Sequence, residues 1–280
     1  MNKHLLGIDF EDWFHPQLIQ PHIKNLKLEP KIDKGIGKIL ELLRKTETTA
    51  TFFMVGDLLD SNPSLLDSIL ENGHEIAFHT MHHTNLNNMS KEKFLEELDI
   101  FSKITNNKSK GFRAPTFSIN HNTSWAIDAL IEKNYLYDSS IMPVKTELYG
   151  FANCETSPFN ISSSSLTKND PNGKLKEFPL AVGKFFMKKI PAAGGFFLRF
   201  IPLKNSLLSI KNYEKENIPA SIYVHSWELT PEFIPKINLP LKENFITYYN
   251  IKKTFSKLET ILKSFKFDSF ENYMKHNFLL

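Results

Sequence analysis

The chain of 280 residues holds a single cysteine, Cys154. An intrachain disulfide is excluded, so the fold must rest on an ordinary packed core. Charge of one sign is missing too: 34 basic residues face 31 acidic ones, for a net charge of +3. That balance argues against nucleic acid as a partner. No apolar run reaches the length of a membrane-spanning helix. The opening apolar stretch is too short for a signal peptide, and Asp9 interrupts it. Together these absences set the expectation of a cytoplasmic protein, with the inner face of a membrane as its furthest reach.

A hydrophobic content of 41% is enough for one large core. The first half alternates strand and helix patterns. Strands are expected at 4–10, 50–55, 75–79, 110–113 and 135–138, and helices at 34–45, after Asn62-Pro63, from Ser90 to Thr105 and at 123–133. Such a repeat implies a parallel sheet with right-handed crossovers. The second half is less regular. Residues 145–175 are rich in Ser, Asn, Thr and Pro and read as a surface excursion, which extends to about 200. A helix is expected at 204–216, a core strand at 220–225 and a helix at 250–264. No linker interrupts this pattern, so 1–280 reads as one domain.

Residues 184–204 mix Phe pairs with five cations and no acid. That composition suits an anionic membrane surface. A hairpin with solvent-facing lysines is the plainer reading, and Pro191, Gly194, Gly195 and Pro202 argue against a continuous amphipathic helix.

The polar residues fall in a telling place. Asp9, Asp12, His79, Arg113, Asp138 and His225 all sit at or just past the C-terminal end of an expected strand. In parallel α/β folds, catalysis and ligand binding occupy that edge. His79 and His83, four residues apart, can close on one cation from a helical turn or tight loop. Asp9, Glu11 and Asp12 crowd three acids beside Phe10, Trp13 and Phe14, where burial is costly without a cation. One acid can complete a facial triad while another takes a proton from water. Arg113 can fix a carboxylate, with Asp9 its expected partner. His225 ends a buried strand and is a candidate general acid, with Glu228 able to orient it. Asp138 either supports the same network or merely caps its strand. His82 is expected to face solvent or support the site from behind. Cys154 lacks a histidine context and is not expected to act as a nucleophile.

These residues together resemble the polysaccharide deacetylase family with the NodB homology domain. The chain looks most like the branch found in exopolysaccharide gene clusters, whose members open with D-x-E-D-[YW]-F-H. The matching stretches are Ile8-Asp9-Phe10-Glu11-Asp12-Trp13-Phe14-His15, Gly73-His74-Glu75-Ile76-Ala77-Phe78-His79, Phe112-Arg113-Ala114-Pro115 and Val224-His225-Ser226-Trp227-Glu228. Further likeness lies at Ala50-Thr51-Phe52-Phe53, Tyr137-Asp138-Ser139-Ser140, Glu177-Phe178-Pro179 and Gly194-Gly195-Phe196-Phe197-Leu198-Arg199. The resemblance implies a distorted (β/α) barrel and hydrolysis of N-acetyl groups on amino sugars of a polysaccharide, oligosaccharide or lipid-linked glycan. It implies a divalent metal, usually zinc, on one acid and the two histidines matching His79 and His83. Asp12 is taken as the acidic ligand, with Glu11 the alternative, because two residues separate Asp9 from Asp12 where many relatives have adjacent aspartates. By the family's roles Asp9 is the base, Arg113 its orienting partner and His225 the acid. A backbone N–H near Thr116 or Phe117 is expected to meet the developing oxyanion. Trp13, Phe117 and Trp227 are candidates to stack on sugar rings.

Two rival readings are weaker. An iron oxygenase can use the same triad, but the βα repeat argues against its usual fold. A catalytically inactive carbohydrate-binding or assembly protein on the same scaffold would have no need of Asp9, His79, His83 and His225 together.

Overall fold

In the computed structural model, residues 3–146, 149–192 and 194–278 are described. Glu147 and Leu148 of the irregular stretch, and Ala193 of the cationic one, lie outside the described residues.

Eleven strands and eleven α-helices are found among the described residues. The strands are β1 His4–Phe10, β2 Thr51–Met54, β3 Glu75–Phe78, β4 Gly111–Phe112, β5 Tyr137–Asp138, β6 Phe159–Ile161, β7 Leu175–Glu177, β8 Val182–Phe185, β9 Lys188–Pro191, β10 Ser221–His225 and β11 Phe267–Asp268. The helices are α1 Ile32–Lys45, α2 Gly56–Ser61, α3 Ser64–Glu71, α4 Lys91–Ile104, α5 Trp125–Glu132, α6 Gly195–Phe200, α7 Leu203–Lys215, α8 Ser226–Leu229, α9 Leu241–Tyr248, α10 Thr254–Ser264 and α11 Phe270–Asn277.

One sheet of nine strands runs β10-β1-β2-β3-β4-β5-β7-β6, with β11 also on β1. All pairings in it are parallel except β6 with β7. The sheet curls until Leu180, just past β7, bridges Ser221 of β10 in parallel. Ala181 N–H donates to the Ser221 carbonyl at 2.8 Å and strengthens that closure. The result is a distorted (β/α) barrel. Its strands are buried on both faces, which explains runs such as Thr51-Phe52-Phe53-Met54 with no polar alternation.

The expected strands and helices of the first half are present within a residue or three of their expected limits. The irregular stretch is not merely an excursion: Phe159–Ile161 and Leu175–Glu177 extend the sheet as β6 and β7. Helix α1 shows how the sequence fixes a face. Ile32, Ile39, Leu40, Leu42 and Leu43 are buried while its lysines point outward. Its first N–H groups are met by Asp12, whose Oδ2 accepts from Lys31 and Ile32. Helix termini need such acceptors, and a carboxylate also suits the positive end of the dipole.

Candidate active site

The parallel register brings the ends of β1, β3, β4 and β10 to one edge. Asp9 pairs with Phe53 on one side and His225 on the other. His79 directly follows β3 and Arg113 directly follows β4. A cavity of about 380 Å³ opens there, lined by Asp9, Glu11, His79, His83, His225 and Trp227 among others.

Glu11, His79 and His83 form a buried cluster whose three candidate ligand atoms lie within 4.8 Å of one another. The histidines do not sit on a helix. They span a loop in which Thr80 and His83 take positive φ of 61° and 54°. Non-glycine residues rarely adopt that conformation, and such strain gathers at working sites. His79 Nδ1 lies 2.6 Å from the Arg113 carbonyl, which fixes the ring and leaves Nε2 for the cluster. Anchoring by a backbone carbonyl is the usual support of a metal-binding imidazole. His83 Nε2 approaches Glu11 Oε2 to 2.6 Å. Glu11 Oε2 is buried and faces His83 Nε2 alone. Its partner oxygen Oε1 is held by Trp227 Nε1 at 2.9 Å. Burial pushes the His79 ring down to about 4, so it is neutral at physiological pH. Burial raises the Glu11 carboxyl, but His83, His225 and His79 outweigh that and leave it ionised. Two imidazoles and one ionised carboxylate, buried with their ligand atoms within 4.8 Å of one another, fit a divalent cation.

Asp9 and Arg113 form the second unit. The Arg113 guanidinium is fully buried and donates from Nη1 to Asp9 Oδ1 at 2.5 Å. Its Nε and Nη2 bind the Ser139 carbonyl and hydroxyl at 2.9 and 3.0 Å. The guanidinium carbon stacks 3.9 Å from the Phe53 ring centroid. Gly7 makes room for it: a Cβ there would stand 2.5 Å from Nη1. Among the described residues Asp138 makes no hydrogen bond to Arg113. It accepts from the Ser140 hydroxyl at 2.6 Å, and that oxygen receives Ala114 N–H at 2.8 Å.

His225 forms the third unit. Its Nδ1 lies 3.0 Å from Glu228 Oε2, and Glu228 Oε1 takes Arg199 Nε at 2.8 Å. Burial lowers the His225 imidazole, but Glu228, Glu11 and Asp9 overcome it and set its pKa at about 9. It therefore carries a proton at neutral pH. Gly194 and Gly195 allow α6 to approach: a Cβ on Gly194 would stand 2.2 Å from Tyr223, and one on Gly195 3.0 Å from His225 Cε1. Arg199 further binds the carbonyls of Ile246, Thr247 and Tyr249 at the end of α9.

Comparison with known proteins gives this geometry a context. Residues 32–132 match the family model of the polysaccharide deacetylases. Residues 139–275 match a domain of unknown function, DUF3473. Over residues 32–132 the chain is similar to the polysaccharide deacetylases. A peptidoglycan deacetylase-like protein of Gibberella zeae is 29% identical over 121 residues, 41% of this chain and 35% of that protein. A peptidoglycan-N-acetylglucosamine deacetylase of Bacillus cereus is 43% identical over 61 residues, 22% of this chain and 29% of that protein. The chain thus spans about a third of the length of these curated relatives. A solved polysaccharide deacetylase candidate from Mycobacterium smegmatis shares the fold, with a TM-score of 0.60 at 15% identity, covering 99% of this chain and 91% of that one. So does an activity-restored mutant of a CE4 family pseudoenzyme, with a TM-score of 0.50 at 13% identity, covering 98% of this chain and 68% of that one.

His79, His83 and Arg113 fall in the first matched region, and Arg199, His225 and Glu228 in the second. Strand β1, with Asp9, and Glu11 just past it precede both, yet the sheet places them between the two sets.

Several expected placements need correction. Asp12 does not join the histidines; Glu11 does. The Asp12 carboxylate is engaged by the backbone N–H groups of Trp13, Lys31 and Ile32, so it is a structural cap for α1. Trp13 does not line the cavity. It packs with Ile19, Ile23, Trp227 and Leu239 and binds the Glu29 carbonyl through Nε1. Trp227 and Phe117 do line the cavity, but Trp227 also holds Glu11. Phe117 N–H is bonded to the Ala114 carbonyl at 3.0 Å, which leaves Thr116 as the donor candidate for an oxyanion. His82 is exposed, with Nδ1 3.3 Å from Asp57. Cys154 is buried, and burial pushes its thiol up to about 12, so no thiolate forms at neutral pH. Tyr149, Phe196 and Tyr223 line the cavity without having drawn attention. Only the aromatic Gly194-Gly195-Phe196 stretch hinted at them.

Proposed function

We propose that this chain is a metal-dependent hydrolase that removes N-acetyl groups from amino sugars of a polysaccharide, oligosaccharide or lipid-linked glycan and releases acetate. The observation that carries the reading is the meeting of three units at one cavity: an imidazole–carboxylate cluster, an arginine-held aspartate and a histidine paired with a buried glutamate. Amide cleavage needs all three functions. The nitrogen is a poor leaving group until it receives a proton, and water is a poor nucleophile until it loses one.

A divalent cation, zinc by donor type, held by Glu11, His79 and His83 would supply a Lewis acid for the acetamide carbonyl and acidify a water. Asp9 is placed to take the proton from the water that attacks the carbonyl carbon. Arg113 keeps the Asp9 carboxylate fixed for that role. Thr116 N–H is the backbone donor assigned to the developing oxyanion. His225 delivers its proton to the nitrogen as the C–N bond breaks, so that an amine and acetate leave. Glu228 sets the tilt of His225, and Arg199 sets Glu228. Phe117, Tyr223 and Trp227 offer apolar faces for a pyranose ring. The deacetylases among the relatives support the same substrate class.

The test is mass spectrometry of N-acetylated glucosamine oligomers, peptidoglycan fragments and exopolysaccharide fragments after incubation with zinc-loaded protein. Loss of acetyl mass from at least one substrate class, with matching free acetate, is the expected result. Binding of these glycans with no acetate from any would replace the reading with an inactive glycan binder.

A further inference from the structure

Phe186 and Met187 form the turn between β8 and β9, and they are 86% and 97% exposed. Adjacent large apolar side chains with that exposure are not explained by packing. Turn chemistry does not explain them either. Both take positive φ, 45° and 64°, the two left-handed positions that Asn-Gly fills at least strain. Phe185 packs edge-on to Phe186, with ring centroids 4.5 Å apart, and thickens the tip.

The hairpin strands and the first turns of α7 are rich in lysine. Lys184, Lys188 and Lys189 are exposed along the two hairpin strands. Helix α7 holds β8 through Tyr213, whose hydroxyl accepts Val182 N–H at 3.0 Å. The same helix exposes Lys204, Leu208 and Lys211 at helical spacing, with Leu208 56% exposed. From Phe178 to Tyr213 the chain contains no acid. Among the described residues none of these five lysines has an ion-pair partner.

We propose that the β8–β9 hairpin and the exposed face of α7 dock on an anionic lipid bilayer. Phe186 and Met187 enter the interface between headgroups and acyl chains, and the lysines meet the lipid phosphates. An apolar tip ringed by cations is the combination that interfacial binding rewards, and it takes both signals to hold a protein there. Docking has a consequence for the cavity. Gly194 and Gly195, three and four residues past the end of β9, pack on Tyr223 and His225, so the cavity wall lies close in sequence to the docked element. This inference stands whether or not the site hydrolyses acetamides.

The full chain would be floated with phosphatidylcholine vesicles and with vesicles that also contain phosphatidylserine. Binding is expected to be at least ~10-fold tighter to the anionic vesicles and to weaken with salt. The Phe186→Asn/Met187→Gly variant relieves the turn, so its thermal unfolding should match or exceed wild type, while vesicle binding falls by about 10-fold or more. The Lys184→Gln/Lys188→Gln/Lys189→Gln variant should lose the preference for anionic lipid. In a Phe186→Trp variant, fluorescence should shift to the blue on vesicle addition. No binding by wild type, or equal binding by the Asn-Gly variant, would overturn the proposal, as would unshifted emission.

Discussion

Replacing Arg113 with Met tests how the Asp9 carboxylate is held. Met keeps the length of the side chain and its packing on Phe53, and removes only the charge and its donors. Wild-type Arg113 is fully buried, and Asp9 is only 3% exposed. The substitution leaves an uncompensated buried carboxylate and strips the Ser139 carbonyl of its donor. Breaking one side of a buried pair costs about 3–5 kcal/mol. In urea this should move the unfolding midpoint down by about 1–2 M for a chain of this size. Asp9→Asn alone removes the charge but keeps the shape. The Asp9→Asn/Arg113→Met double variant should therefore be more stable than the sum of the single losses, by about 2 kcal/mol. Circular dichroism across a urea series reads all four proteins. If Arg113→Met costs less than about 1 kcal/mol, the pair is not the structural clamp described, and a coupling near zero would refute the reasoning in the same way.

Four other outcomes follow from the geometry. Glu11→Gln should weaken zinc binding by about 10-fold or more, whereas Asp12→Asn should keep the metal and cost about 1 kcal/mol at the start of α1; competition with a zinc chelator and thermal unfolding separate them. Asp9→Asn should keep the metal but lower turnover by roughly two or more orders of magnitude, and metal loss in that variant would contradict its role as base. His225→Ala should depress amide hydrolysis far more than hydrolysis of activated aryl acetates, because an aryl oxide leaves without a proton; equal losses would remove His225 from proton transfer. Buried Glu75 is pushed up to about 7 by burial, against the donors Thr51, Tyr137 and Glu271 N–H. Its folded pKa lies above the unfolded one, so stability should fall as pH rises from about 4.5 to 7, by on the order of 3 kcal/mol in all. Glu75→Gln should flatten that slope in pH-dependent urea melts, and an unchanged slope would contradict the assignment.

Much of the site was legible because strand ends are legible. A short apolar run that stops at Asp9, His79, Arg113 or His225 marks the edge where a parallel sheet exposes its chemistry, and the register then brings those residues together. The choice between Glu11 and Asp12 was not legible. It turns on Trp227 Nε1 and His83 Nε2, both of which select Glu11 from far along the chain, and on the N-terminus of α1, which claims Asp12. Trp13 and Trp227 look alike as sequence, yet one is enclosed with Ile19 and Leu239 and the other lines the cavity. Strands β6 and β7 escaped notice because each has three residues and a polar setting, and only pairing gives them shape. The Glu228–His225 pair is local and could be read, but Arg199 reaches Glu228 from α6, so no local pattern announces that link.

The measurement that bears most directly on the account is acetate release from N-acetylated glucosamine oligomers as zinc is titrated into metal-free protein. The account predicts that release rises with zinc, saturates at one equivalent and vanishes with chelator. It also predicts that His79→Ala, still folded by circular dichroism, neither binds zinc at that site nor releases acetate. Acetate release at full rate from metal-free protein, or from the His79→Ala variant, would contradict it.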